Sequence, residues 1–267
     1  MNSVGIGPFV FASEQFAAVL GIVAFAFVTS IFSRRVDPMI GAWSNWALIG
    51  GLITARVGHV ALHWESFANE PWRIFAFWQG GFQPIAGLVG VLLVSAFYIR
   101  SLKVGLAAAG VLGLSLVIWL GVTELTRATL GQPAPTVVLQ QLEGPPIAVS
   151  EIGGKPVVIN LWASWCPPCR REMPLLAEVA ASRNDVVFLF INQGEGTDTI
   201  RCYLATDNLQ LDRVLLDPSM QISRYYGSMG LPITLFLRAN GTLASMHLGE
   251  ISREALNAKI VKLTGST

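Results

Sequence analysis

Trp165-Cys166-Pro167-Pro168-Cys169 is the stretch of this 267-residue chain whose residue types and spacing most directly imply chemistry. A strand-forming run, Val157–Trp162, precedes it, and a helical pattern, Cys166–Ser182, begins with it. Cys166 is therefore expected at a helix N-terminus, where unpaired backbone N–H groups and the macrodipole favour thiolate over thiol. Cys169 falls about one turn further in, within reach of a mixed disulfide formed on Cys166. Pro167 and Pro168 are tolerated because the first helical turn has no use for their missing N–H groups, and they stiffen the loop. The same spacing is also half of a zinc site. Zinc would need two further ligands, and only Cys202 and His247 remain in this half of the chain, in separate elements. The expectation is a dithiol–disulfide couple, with no metal and no cofactor beyond the pair itself. Cys202 is expected on an amphipathic helix as a small buried hydrophobe, with a regulatory or intermolecular disulfide as the other reading.

The elements that must hold the pair follow from the pattern of residues 131–267. Gly131–Pro146 contains Pro133, Pro135, Pro145 and Pro146 and reads as a linker running into short edge strands. Further strands are expected at Val186–Asn192 and Arg213–Leu216, with helices at Thr197–Asn208 and Ser219–Tyr226. Ile233–Arg238 and Leu243–Leu248 flank Asn240-Gly241, a hairpin signal. A closing helix, Ser252–Leu263, has Ser252 as its cap. Strands alternating with helices, then a hairpin and a closing helix, describe an α/β domain with a central mixed sheet.

Composition sets the other half apart. Hydrophobic residues make up 52% of the chain and charged residues 13%, against about 25% charged in soluble proteins. The net charge of +1 excludes a polybasic nucleic-acid binder, and three cysteines exclude a disulfide-stapled mini-domain. Residues 1–130 carry 7 Lys/Arg and 5 Asp/Glu, and residues 131–267 carry 11 and 12. A multi-span membrane domain over 1–130 and a soluble domain over 131–267 are expected. Four apolar stretches, Phe9–Phe32, Ile40–Leu62, Phe82–Ile99 and Val104–Val122, each approach the ~20 residues that a spanning helix needs. Met1–Val10 has no Lys or Arg, so the first span is expected to be retained rather than cleaved. Arg34, Arg35, Arg100 and Lys103 mark two loops as cytoplasmic, while Trp64–Gly81, with Trp64, Trp72 and Trp78 suited to an interface, faces outward. Span parity then places residues 131–267 outside the cytoplasm.

Within the expected spans, Arg56 invites two readings: a lipid-headgroup or phosphate contact, or an arginine that snorkels or is paired internally. His59 and His63, at i and i+4, share a helical face without a third ligand nearby. Glu14 and Gln15 are expected to be hydrogen-bonded internally or interfacial. The first 130 residues hold no cysteine, so this half cannot pass electrons across a bilayer by thiol–disulfide exchange.

Two resemblances sharpen these expectations. Val157-Val158-Ile159-Asn160-Leu161-Trp162-Ala163-Ser164-Trp165-Cys166-Pro167-Pro168-Cys169-Arg170-Arg171-Glu172-Met173-Pro174 closely resembles thioredoxin-like proteins of the TlpA/ResA branch, over roughly residues 132–264. The resemblance implies a cis-proline loop at Leu231-Pro232, whose free backbone edge takes an extended substrate beside the cysteines. It also implies, at Asn192-Gln193-Gly194-Glu195, a partly buried glutamate with a raised pKa that exchanges the proton of Cys169. Thioredoxins proper carry an aspartate where this chain has Asn160, so the relay is expected to pass through Glu195 or water. Trp165, Pro167, Pro168 and Leu231 are expected to support substrate binding. Ala55-Arg56-Val57-Gly58-His59-Val60, Trp78-Gln79-Gly80-Gly81-Phe82 and Gly87-Leu88-Val89-Gly90 resemble the N-terminal part of prolipoprotein diacylglyceryl transferases, over residues 9–95. Where that family places a histidine this chain has Ile85, which speaks against transferase activity.

The function expected is that of a protein-disulfide reductase, anchored in a bacterial inner membrane by several spans, with its thioredoxin-like domain in the periplasm. Cys166 attacks substrate disulfides and Cys169 resolves them. The partners are disulfide-containing periplasmic proteins, a membrane dithiol electron donor and the lipid bilayer, without nucleic acid. The TlpA/ResA resemblance implies service to cytochrome c or oxidase maturation, or to disulfide repair and cell redox homeostasis. A net thiol oxidase, a lipid- or lipoprotein-handling transferase relative with an accessory redox domain, and a tethered holdase are the alternatives.

Overall fold

A computed structural model of the chain describes residues 3–6, 9–68, 70–126, 131–228 and 230–265, and does not describe the side chains of residues 3–18 and 122–126. Glu14 and Gln15 thus lie outside the described side chains. The chain divides into two compact units, one of Met1–Ser13 with Thr126–Thr267, the other of Glu14–Leu125.

The second unit is helical. It contains α1 (Ser13–Arg35, which begins at the unit's edge), α2 (Met39–Leu62), α3 (Trp64–Ala68), α4 (Pro84–Tyr98) and α5 (Leu102–Thr126). Four of these fall where the apolar stretches predict helices. The first starts later than expected, because Phe9–Ala12 pairs with Ser3–Ile6 as an antiparallel hairpin, β2 with β1. Among the described helices, Leu102–Gly121 alone is long and apolar enough to cross a membrane, and Pro84–Tyr98 is apolar but shorter. Small residues let α2 and α4 approach closely. A Cβ on Gly90 would fall 2.1 Å from Thr54 Oγ1 and 2.8 Å from the Gly50 carbonyl. Trp43, wholly buried beside Phe25 and Val111, donates from Nε1 to Ser95 Oγ at 3.0 Å. The large aliphatic side chains of α2, α4 and α5, among them Ile53, Val57, Leu88, Leu93 and Leu106, point outward instead. Small residues inside and large apolar ones outside is the pattern of helices packed in lipid.

The stretch between α2 and α4, expected to be a plain loop, is folded on Arg56. Beyond α3 it forms two short 3₁₀ turns, Pro71–Phe75 and Phe77–Gln79. Arg56 is 5% exposed. Its Nε donates to the Ile74 carbonyl (2.9 Å), one Nη to Gly80 (2.6 Å) and Gly81 (3.0 Å), and the other to Arg73 (2.6 Å) and Ala76 (3.5 Å). The rings of Phe67, Phe77 and Phe82 lie 5.6–6.0 Å from the guanidinium carbon. Gly81 has φ +80°, and a Cβ there would fall 2.7 Å from His59 Nε2, so no larger residue fits. The geometry is that of the internally paired arginine.

The other unit carries a seven-stranded mixed sheet. Its strands are β3 (Val138–Gln141), β4 (Ile147–Ala148), β5 (Val157–Trp162), β6 (Val187–Gln193), β7 (Val214–Asp217), β8 (Ile233–Leu237) and β9 (Leu243–Leu248), in the order β4-β3-β7-β6-β5-β8-β9. β5 is an inner strand, parallel to β6 and antiparallel to β8. All six of its residues are buried, which its unbroken β-rich run requires of a strand covered on both faces. The helices are α6 (Pro167–Ser182), α7 (Thr197–Thr206), α8 (Gln221–Tyr225) and α9 (Arg253–Thr264). One core packs α6 and α9 against Val158, Trp162 and Phe236; the other gathers Ile159, Leu161, Ile191 and Tyr226. Asn240-Gly241 turns β8 into β9, with Gly241 at φ +78°, and Ser252 caps α9 through the Ala255 N–H at 3.2 Å. This is the expected α/β domain, with boundaries moved by a residue or two.

Candidate functional site at the start of α6

β5 ends at Trp162, and four residues later the chain turns into α6 with Cys166 as its N-cap. Pro167 and Pro168 fill the first turn, and Cys166 Sγ accepts from the Cys169 N–H at 3.3 Å. The two sulfurs are joined in a disulfide, with Cα atoms 5.3 Å apart. Cys169 is wholly buried, whereas the neighbouring Trp165 is 65% exposed.

α6 buries Cys169, Glu172, Met173, Leu176 and Val179, one stripe at helical spacing. Glu172 interrupts that apolar stripe one turn beyond Cys169. It is 2% exposed. Its Oε1 accepts from Asn160 Nδ2 at 2.8 Å, and its Oε2 from the Ile251 N–H at 2.9 Å. Asn160 Nδ2 also reaches Thr234 Oγ1, at 3.3 Å. Burial raises the Glu172 carboxyl from 4.5 to about 8, outweighing the two hydrogen bonds and Arg171 that act to lower it. Glu172 is not among the residues that the sequence singles out. The signal was present: a carboxylate at a core position of an amphipathic helix is rare unless the site uses it.

Glu195, the glutamate singled out from sequence, stands in a different place. It is half-buried after β6, and Oε2 accepts from the Ser164 N–H and from Asn192 Nδ2, each at 2.7 Å. Ser164 Oγ donates to Oε1. These bonds tie the loop after β6 to the loop that delivers Cys166. Asp217, at the end of β7, in turn accepts from the N–H groups of Gln221 and Ile222 and from Gln193 Nε2. On the opposite flank, the Leu231–Pro232 peptide is cis. Ile233 pairs with Leu161 of β5, and Leu231 packs against the core that contains both cysteines. The cysteines, Trp165, Glu195 and Leu231-Pro232 therefore come together at the end of β5.

Two residues fall elsewhere. Cys202, expected to be buried, is exposed on α7, because Ile200 and Tyr203 take the buried positions of that helix. The rings of His59 and His63 lie side by side, tilted by 33° with centres 4.4 Å apart. Among the described residues no three or more His, Cys, Asp or Glu side chains are gathered as metal ligands.

The AhpC/TSA family model matches residues 130–246. The thiol-disulfide oxidoreductase ResA of Geobacillus thermodenitrificans is 31% identical over 134 residues, spanning 49% of this chain and 76% of that protein. The chain belongs to the ResA thiol-disulfide oxidoreductases. The thioredoxin-like protein YneN of Bacillus subtilis is 29% identical over 134 residues, 49% of this chain and 78% of YneN. A solved thiol:disulfide interchange protein of the thioredoxin family from Chlorobium tepidum TLS aligns with a TM-score of 0.45 and 24% identity, over 51% of this chain and 97% of that one. The N-terminal region matches the prolipoprotein diacylglyceryl transferase model over residues 4–123, so a ResA-type oxidoreductase domain is here fused to a transferase-like helical region. The protein is a thiol:disulfide oxidoreductase.

Glu172 also makes the stability of this ResA-type domain depend on pH. Folded, its carboxyl keeps a proton up to about pH 8; unfolded, it loses it near 4.5. The stability it contributes is complete below 4.5 and is lost as pH rises through 8. His247 acts in the opposite sense, since burial and Lys259 lower it from 6.5 to about 4. Its contribution is complete above 6.5 and is lost as pH falls toward 4. The two offset each other up to pH 6.5, and above it only Glu172 of the pair still titrates. Stability is expected to fall between pH 6.5 and 8 by at most about 1.4 kcal/mol per pH unit. Glu172→Gln flattens that fall. Pulse proteolysis of the oxidised chain in urea at stepped pH measures both.

Proposed function

We propose that the chain is a membrane-anchored protein-disulfide reductase whose redox domain, residues 131–267, works on the periplasmic side of a bacterial inner membrane. The observation that carries the chemistry is the buried Glu172 carboxyl on the same helical stripe as Cys169. With its pKa raised to about 8, it is matched to a thiol, whose ordinary value is about 8.5. In the reduced enzyme the Cys166 thiolate, at the helix N-terminus, attacks one sulfur of a substrate disulfide. That bond breaks and the distal sulfur leaves as thiolate. Cys169 gives its proton to Glu172 and attacks Cys166 Sγ. The second substrate sulfur leaves, and the Cys166–Cys169 disulfide closes. Two electrons have passed to the substrate, and a membrane dithiol donor returns them by the reverse exchange.

Glu195 is assigned to holding the loop that carries Cys166, through its bonds to Ser164 and Asn192. Trp165, Pro167, Pro168 and Leu231-Pro232 form the contact surface for an extended substrate. The pair itself is the redox centre, without a metal or further cofactor. Residues 1–130 are the anchor, with α1, α2, α4 and α5 as four spans and the cationic loops of Arg34-Arg35 and Arg100-Lys103 inside. Arg56 serves the anchor's own fold, since its donors meet backbone carbonyls.

Insulin reduction by dithiothreitol, with the full chain in nanodiscs, tests the exchange chemistry. Acceleration proportional to protein and lost in Cys166→Ser is expected; no acceleration refutes it. The exposed Cys202 tests placement. A membrane-impermeant maleimide should label it in spheroplasts, and labelling only after lysis would contradict the periplasmic assignment.

A further inference from the structure

Glu172 must change protonation in a site that buries it among fixed partners, and the partners differ in what they can do. The Ile251 N–H is a backbone donor, so Oε2 is an acceptor whether the carboxyl is charged or neutral. The proton therefore sits on Oε1, the oxygen that faces Asn160. A carboxylate at Oε1 needs a donor there; a carboxyl at Oε1 needs an acceptor. An amide is the side chain that supplies either by turning over. Asn160 is wholly buried, and its Oδ1 has no hydrogen-bond partner. Thr234, its register partner on β8, is equally buried, and its hydroxyl is a rotor that accepts or donates.

We propose that Asn160 is the positioning residue that carries Glu172 through its change of protonation, with Thr234 as companion. In the orientation seen, Nδ2 donates to Glu172 Oε1 (2.8 Å) and to Thr234 Oγ1 (3.3 Å), serving the carboxylate. Turned over, Oδ1 accepts from the Oε1–H of the neutral acid and from the Thr234 hydroxyl. Both states keep two hydrogen bonds, and one amide atom is unmet in each. The carboxyl stays in place, one turn beyond Cys169 on the buried face of α6, while its proton comes and goes. An aspartate at residue 160 would add a second titrating group, and an apolar residue would leave Glu172 Oε1 without its Asn160 partner in either state.

This rests on the assignment of Glu172 above. The other groups around it are accounted for. Arg171 and Glu250 act on the carboxyl and pair with each other at 2.7 Å. His247 of β9 lies opposite Thr234, and with its pKa near 4 it is neutral throughout the pH range of interest. Lys259 and the buried Glu254 belong to α9, and Cys166 and Cys169 to α6 itself.

The test uses the oxidised full chain, in which the active-site thiols do not titrate. The infrared band of protonated carboxyl that persists above pH 6.5 is followed to its midpoint, and Glu172→Gln identifies it by removing it. Asn160→Leu takes a charge-assisted hydrogen bond from the carboxylate and a weaker one from the acid, so the midpoint should rise by about one pH unit. A folded Asn160→Leu chain with the wild-type midpoint overturns the inference while leaving Glu172 in its role. If Glu172→Gln leaves the band intact, the assignment of Glu172 itself fails. Should Asn160→Leu not fold, the near-isosteric Asn160→Asp takes its place. Two coupled carboxyls should titrate in two steps, the upper above the wild-type midpoint, and a single unshifted step overturns the inference.

Discussion

Cys169→Ser turns the chain into a trap: mixed disulfides on Cys166 accumulate, and turnover in thiol–disulfide exchange falls by at least about 100-fold. The expectation follows from where the sulfurs lie. Cys166 is the N-cap of α6 and the sulfur that helix-terminal N–H groups support as a thiolate, so it still attacks. Cys169, wholly buried in the first turn behind it, resolves the mixed disulfide. The third cysteine, Cys202, sits on the exposed side of α7 and does not substitute. Cys166→Ser, in contrast, forms no mixed disulfide at all. Non-reducing gels of acid-quenched cells, in a Cys202→Ser background, separate the two variants. A Cys169→Ser chain that turns over like wild type would remove Cys169 from the mechanism, and trapping in Cys166→Ser instead would exchange their roles.

Arg56→Met is expected to release the segment between α2 and α4. The guanidinium bonds the carbonyls of Arg73, Ile74, Ala76, Gly80 and Gly81 and lies among three phenylalanine rings. Methionine fills comparable volume but leaves those carbonyls without their donor in a buried place. Losing one partner of a buried charged network costs roughly 3–5 kcal/mol. Arg56→Lys should recover only a small part, because one ammonium cannot reach carbonyls spread around a planar fork. Hydrogen exchange of amides 71–83 measures the release. Protection of those amides equal to wild type would show that the loop holds itself.

The sequence was most legible where one physical demand set the residue types. The Val157–Trp162 run, the Asn240-Gly241 turn and Ser252 each answer to a single local requirement, and each element lies within a residue or two of its expected place. Cys166 and Cys169 were legible for the same reason, since a helix N-terminus and one turn of spacing are local. The glutamate was not. Glu172 owes its character to Asn160 on β5, Ile251 before α9 and the core around them, all of them contacts between elements far apart in sequence. Glu195, chosen because Asn192–Glu195 resembles a glutamate-bearing segment of the TlpA/ResA branch, accepts from the Ser164 N–H and from Asn192 Nδ2. Arg56 shows the same limit. A charge in an apolar stretch announces that something meets it, but the carbonyls that do so lie 17–25 residues away. Four helices were legible in the four apolar stretches, but among the described helices Leu102–Gly121 alone is long and apolar enough to cross a membrane.

If electrons flow from this chain to its substrates, the redox state of Cys166 and Cys169 in growing cells will show it. Cells carrying the Cys202→Ser chain are quenched in acid, alkylated with a maleimide that adds mass, and resolved by gel shift. A reductase kept charged by a membrane donor is predicted to show both cysteines mostly as free thiols. A pair found mostly as the disulfide would contradict that direction.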